Sequence, residues 1–228
     1  MTVSSHQRPA PLPARGRDPY RFGPGPRPAL QPGTFGWAAN DLLDPEVRGL
    51  WDAGRYEIID GVLTLMPAAY FRGGSAAITL AFILRDHLRA RGTPAAFAGE
   101  VDIELAPDRV VRADAVVVIG GDLPLFEAMT FDPPGGDWRD HPLRRPPSLV
   151  IESVSAGHEA HDRRTKRAWY ARFGVPRYWI VDAYARSLEC LRLEAGEYVT
   201  DAAGAGDFTL RPAAFPGLQI PLGEVWSG

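Results

Sequence analysis

The run "RVVRADAVVVIG", residues 109–120, constrains the fold of this chain more than any other stretch. A strand this rich in valine cannot keep one face in water, so it reads as a central strand covered on both sides. "PSLVIESVS", residues 147–155, reads the same way. "RYEIIDGVLTLMP" places two extended, β-branched runs around Asp60-Gly61, the favoured chemistry for a tight hairpin because both positions tolerate positive φ. Gly73-Gly74-Ser75 leads into "AAITLAFILRDHLRARG", where Ile78, Phe82, Leu84 and Leu88 recur at helical spacing, as the core face of a helix ended by Gly92. "AFAGEVDIEL" predicts a strand joined to the valine run by an "APD" turn, and the alternating acids Glu100, Asp102 and Glu104 read as its solvated edge. A second helix is predicted from about Asp162 to Phe173, stopped by Gly174 and Pro176, then the strand "RYWIVD" and a hairpin turning at Ala195-Gly196. The order is hairpin, helix, two strands, strand, helix, strand, hairpin. The expected fold class is therefore α/β: a mixed sheet flanked by helices, without a regular βαβ repeat.

The ends and insertions follow from composition. Residues 1–34 are rich in proline and arginine and lack the apolar core of a secretory signal, so they read as a disordered arm ahead of a single domain over 35–228. A short amphipathic helix beginning near Ala38, with Trp37, Leu42, Leu43 and Leu50 as apolar contacts, opens that domain. The prolines and glycines of 120–147 predict a surface insertion. No apolar run approaches the length of a membrane span, and the single cysteine, Cys190, forms no internal disulfide; a core position and a reducing cytoplasm are the expectation. A net charge of -3 argues against coating nucleic acid through an overall field, but six cations and two anions between His158 and Arg177 make a local basic surface.

Two acids and one amine carry the chemical signal. Asp114 interrupts the valine run and Glu152 interrupts "LVIESV". An ionised carboxylate on a buried strand costs several kcal/mol unless something compensates it. A bound divalent cation is one answer, since magnesium takes a few carboxylate oxygens; the polar face of a half-exposed strand, or pairing with an arginine such as Arg112, is another. Of the 25 basic residues 24 are arginine, and the single lysine is Lys166. A primary ammonium is a compact, strongly hydrated charge that a guanidinium does not replace. Asp162, Lys166 and Tyr170 fall at i, i+4 and i+8 along one helix face, either as a surface ion pair or to aim Lys166 at the acids. His158 and His161 with Glu159 lack the further ligands of a zinc site, and "GGSAA" lacks the lysine of a phosphate loop.

The combination "YEIIDGVL", "RADAVVV", "VIESVS", the Asp162, Lys166, Tyr170 helix and "GVPRYWIVD" resembles the Uma-type family of putative restriction endonucleases in the PD-(D/E)XK nuclease superfamily, over roughly Phe35 to Val199. The resemblance implies a restriction-endonuclease-like fold and a metal-dependent endonuclease that hydrolyses DNA phosphodiester bonds. It implies Asp114 and Glu152 as ligands of Mg2+, with Mn2+ as a substitute. In the superfamily a lysine usually lies two residues after the second acid; Val154 stands there, and the family's lysine has moved to the following helix, which makes Lys166 its equivalent. Glu57 would be an auxiliary acid. Ala113 replaces a proline usual before the first acid, and "YFRGGSAA" lacks a histidine found near the start of the first long helix. Arg163, Arg164 and Arg167 are the expected contacts to DNA phosphates, and a homodimer would serve two-strand cutting. The alternative is a weak or inactive nuclease fold that binds nucleic acid or a protein partner.

Overall fold

The structure is a computed structural model that describes residues 30–52, 54–66, 71–128, 141–154 and 161–227. The arm over 1–29, and residues 129–140 of the expected insertion, lie outside them.

Eight strands form one mixed sheet: β1 (Tyr56–Ile59), β2 (Val62–Leu65), β3 (Ala95–Ala106), β4 (Arg109–Ile119), β5 (Leu149–Ser153), β6 (Arg177–Asp182), β7 (Ser187–Glu194) and β8 (Glu197–Ala205). The order is β2-β1-β4-β5-β6-β7-β8, with β3 also paired to β4. All neighbours are antiparallel except β5 and β6, which run parallel because the helix between them returns the chain to the same end. The Asp60-Gly61 turn has φ of 52° and 76°, and Ala195-Gly196 has 49° and 87°, the left-handed pairs that match the twist of a two-residue hairpin.

Helix α1 (Pro45–Asp52) follows a 3-10 turn at Ala39–Leu43; α2 is Phe71–Ala90, α3 Leu123–Glu127, α4 Arg167–Phe173 and α5 Leu222–Trp226. Alternation along β5 and β6 separates two cores. Leu149, Ile151, Trp179 and Val181 pack with Leu80, Leu84 and Leu88 of α2, and with Leu222 and Val225 of α5. Val150, Val154, Tyr178 and Ile180 pack on the other side with Tyr170 of α4. A third cluster, built on Trp37, Trp51 and Ile58, closes the β1 end. Strands β9 (Thr209–Leu210) and β10 (Ile220–Pro221) form a small separate ribbon.

The α/β architecture agrees with the sequence, and five local readings change. Helix α2 starts at Phe71 and takes Gly73 and Gly74 into its first turn. Its buried stripe is Ala76, Ala77, Leu80, Leu84 and Leu88, whereas Ile78 and Phe82 are half exposed, because the sheet lies under the smaller residues. At the N-terminus Leu50 is exposed and Val47 and Trp51 carry the packing. The acids of β3 divide: Glu100 is exposed, but Asp102 and Glu104 are buried, because an isolated bridge from Ile103 to Leu143 and the arginines Arg48, Arg112 and Arg144 cover that edge. The bridge also shows that the 120–147 stretch is not wholly a surface excursion, since Phe126 and Leu143 are core residues.

Candidate active site

β3 occupies one edge of β4 along its whole length, so β1 and β5 must share the other. β5 pairs at Ala115–Val117, β1 pairs at Val110, and the C-terminal end of β5 meets the N-terminal end of β1 between them. The backbone of β4 at this junction is served by side chains. The N–H of Arg112 donates to Glu57 Oε1 at 3.1 Å, and Asp114 Oδ2 accepts from both the N–H (2.7 Å) and the hydroxyl (2.6 Å) of Ser153.

The alternation of β4 also slips here. Val111 and Ala113 face the α4 core, but so do Val116 and Val118, while Ala115 and Val117 face α2. Asp114 is the residue at the slip, and Glu100, opposite it in β3, has a φ of 51°. A local break in a regular strand re-aims a side chain, and such breaks gather beside functional sites.

α4 supplies the amine. It is preceded by a π-helical turn, His161–Lys166, a wider winding that concentrates at functional positions. Lys166 is 4% exposed, and its Nζ lies 3.2 Å from Oε1 of both Glu57 and Glu152. One turn on, the buried Tyr170 hydroxyl donates to the same Glu152 oxygen at 2.6 Å. Burial first, and then the Glu152 charge, push the Tyr170 phenol well above its ordinary value, so it stays a donor. Glu57 and Glu152 are 1% and 2% exposed. Arg55 is the nearest further cation, its guanidinium 4.0 Å from Asp114 Oδ1 and paired with Glu100.

The fold thus brings Glu57, Glu152 and Lys166 into direct contact and sets Asp114 on the residue after Glu152. Arg164 is exposed. Arg167 is half buried and donates to the Tyr198 carbonyl at 2.6 Å, tying α4 to β8. The side chains of Asp162 and Arg163, and residues His158 and Glu159, lie outside the described set.

Carboxylate oxygens are the donors a hard divalent cation takes, and Glu57 Oε2 is buried with no hydrogen-bond partner among the described residues. As the side chains stand, no three acid, histidine or cysteine groups among the described residues could hold a cation together. Lys166 bridges Glu57 and Glu152, and Asp114 is held by Ser153.

A family model described as "putative restriction endonuclease" matches residues 49–223, a span that contains every element of this junction. The chain belongs to that family, Uma2. Family membership carries the coarse function of a nuclease. Among solved structures, the chain is similar to a putative nuclease from Anabaena variabilis ATCC 29413, with a TM-score of 0.57 and 14% identity, covering 75% of this chain and 89% of that one. At that identity the likeness speaks for the fold. No curated protein matches.

Several residues of the Uma2 junction escape a linear reading. Ser153, Arg55 and the backbone of Arg112 have no chemical signature in sequence; only pairing brings them to the acids. Tyr170 had one, its spacing of four from Lys166. A second signal was the Gly73-Gly74 pair: a Cβ on Gly73 would lie 3.1 Å from the Ser153 hydroxyl, so glycine lets α2 approach the site.

Proposed function

We propose that the chain is a divalent-metal-dependent endonuclease that hydrolyses phosphodiester bonds in DNA. The observation that carries this reading is the buried Lys166 ammonium bridging Glu57 and Glu152, beside a Glu57 oxygen with no partner among the described residues. A buried amine between two acids in a mostly apolar core costs stability that better-packed apolar residues would not, so its retention argues for chemistry.

Asp114 and Glu152 would hold magnesium, with manganese able to replace it. Bound there, the ion would act as a Lewis acid on a phosphoryl oxygen. Lys166 would donate to the attacking water or to a non-bridging phosphoryl oxygen, stabilising charge that grows in the transition state. Glu57, whose Oε2 has no hydrogen-bond partner among the described residues, would accept a proton from that water. Tyr170 would fix Glu152 by its short hydrogen bond. Arg164, exposed one half-turn before Lys166, is suited to a phosphate contact; Arg163 belongs to the same proposal, and Arg167 joins it only by giving up Tyr198.

The test is supercoiled-plasmid nicking by purified protein in magnesium or manganese, comparing the natural chain with Asp114→Ala and Lys166→Ala. Both substitutions should abolish nicking. Cleavage that survives both would remove the assignment.

A further inference from the structure

We infer that Ser153 is a positioning residue that decides which oxygen of Asp114 faces a divalent cation, and that Gly73 keeps it in place. The inference rests on the reading of Asp114 as a cation ligand. Both Ser153 donors, the backbone N–H at 2.7 Å and the hydroxyl at 2.6 Å, go to Oδ2. Two short bonds from a charged acceptor to one neighbouring residue fix both the position and the twist of the carboxylate. Oδ1 is therefore the oxygen presented outward, toward the Arg55 guanidinium 4.0 Å away. Ser153 is buried on the α2 side of β5, and the hydroxyl has a wall behind it. A Cβ on Gly73 would stand 3.1 Å from its Oγ and 3.3 Å from its Cβ, closer than ordinary contact. Two glycines in the first turn of a helix cost helix stability, and the close approach to Ser153 gives Gly73 a reason that local preference does not.

Outer groups that orient a metal-binding carboxylate characteristically change affinity when removed, although they never touch the ion. Titration of the full chain with Mn2+ alone, followed by calorimetry or by the electron-spin signal of free Mn2+, tests this without reference to turnover. Ser153→Ala keeps the backbone donor and removes the hydroxyl; it should weaken Mn2+ binding about ten-fold or more. Gly73→Ala should shift the Ser153 hydroxyl and weaken binding in the same direction, at a cost in stability that the better helix preference of alanine, about 1 kcal/mol, partly offsets. A loss of Mn2+ affinity in protein that is still fully folded at the assay temperature is what a purely structural role would not give. Natural affinity in Ser153→Ala, alongside weakened binding in Asp114→Asn, would overturn the inference and leave the proposed function standing. Should Ser153→Ala melt too early to be read, unchanged affinity in a stable Gly73→Ala overturns it instead. Absence of Mn2+ binding by the natural chain, or undiminished binding by Asp114→Asn, would overturn both.

Discussion

Two buried charge clusters flank Arg112, and they are built on opposite principles. On one side Asp102, 4% exposed, accepts from Arg112 Nε at 2.8 Å, from Arg48 at 2.9 Å and from the Trp51 indole at 2.9 Å. Both of its oxygens are engaged, and with Asp52 against Arg48 and Arg112 two acids balance two cations. Across the strand, Glu57 and Glu152 share one ammonium, Asp114 lies on the next residue, and one oxygen of Glu57 has no partner among the described residues. The first cluster is satisfied and holds α1 to the sheet. Among the described residues the second has more acid than cation, which a purely structural network has no reason to retain. The two are joined, because the arginine that Asp102 grips with its side chain gives its backbone N–H to Glu57.

The largest expected effect separates the clusters by function. Lys166→Met should lower the rate of plasmid nicking by about 10²- to 10⁴-fold, the range for removing a group that acts on a proton or a developing charge. Asp102→Ala should act instead on stability, lowering the unfolding free energy by about 3–5 kcal/mol in urea titration, because it removes the buried acceptor shared by Arg112, Arg48 and the Trp51 indole and leaves the exposed Asp52 to answer both arginines. Lys166→Met also leaves two buried acids without their cation and will cost stability, so the deciding readout is nicking by folded protein: if Asp102→Ala abolishes it and Lys166→Met does not, the two clusters have been assigned the wrong way round.

Tyr170→Phe comes next, at about 1.5–3 kcal/mol of stability near neutral pH, the range for a hydrogen bond to a charged group. The same substitution has a pH signature. The folded chain holds the phenolic proton above the ordinary value, mainly through burial and then through Glu152, so the unfolded chain ionises first. Stability from this group is complete below pH ~10 and is lost as pH rises beyond it. Equilibrium unfolding between pH 10 and 11 should therefore fall less steeply with pH in Tyr170→Phe, by about 1 kcal/mol per pH unit. Some slope will remain, since burial also raises Tyr198 and Cys190.

The smallest effect supplies the baseline. Arg186 and Asp207 form an exposed ion pair at 2.5 Å, and Asp207→Ala should change stability by less than about 1 kcal/mol, with no effect on nicking. A charge pair in water and one in the core differ in consequence far more than in distance.

Much of this molecule was legible as a string. Asp60-Gly61 and Ala195-Gly196 announce their hairpins because few residue pairs accept two positive φ angles, and Gly174 ends α4 in a left-handed conformation for the same reason. The valine runs announce β4 and β5 because nothing but a doubly covered sheet hides them. Asp114, Glu152 and Lys166 stood out for a related reason: charge inside an apolar run is costly, and the amine is the only lysine in the chain. The failures have a common cause as well. Ile78 and Phe82 fit a helical stripe as well as Leu80 does, and periodicity alone cannot say which stripe faces the sheet. Asp102 and Glu104 alternate as a solvated edge would, and only the arginines arriving from α1, β4 and the segment after α3 reverse that reading.

Local chemistry, then, was decided by the sequence: where the chain turns, which strands are central, and which three charged residues need an explanation. That Lys166 meets Glu152 and Glu57, and that Asp114 reaches Ser153 beside them, was decided by the tertiary structure, because β1 and β5 share one edge of β4 and α4 lies over the gap between them. Ser153 could not have been read from the string at all. Its role comes from a strand register and from a glycine eighty residues earlier that lets a helix come close, and such relations exist only once the chain has folded.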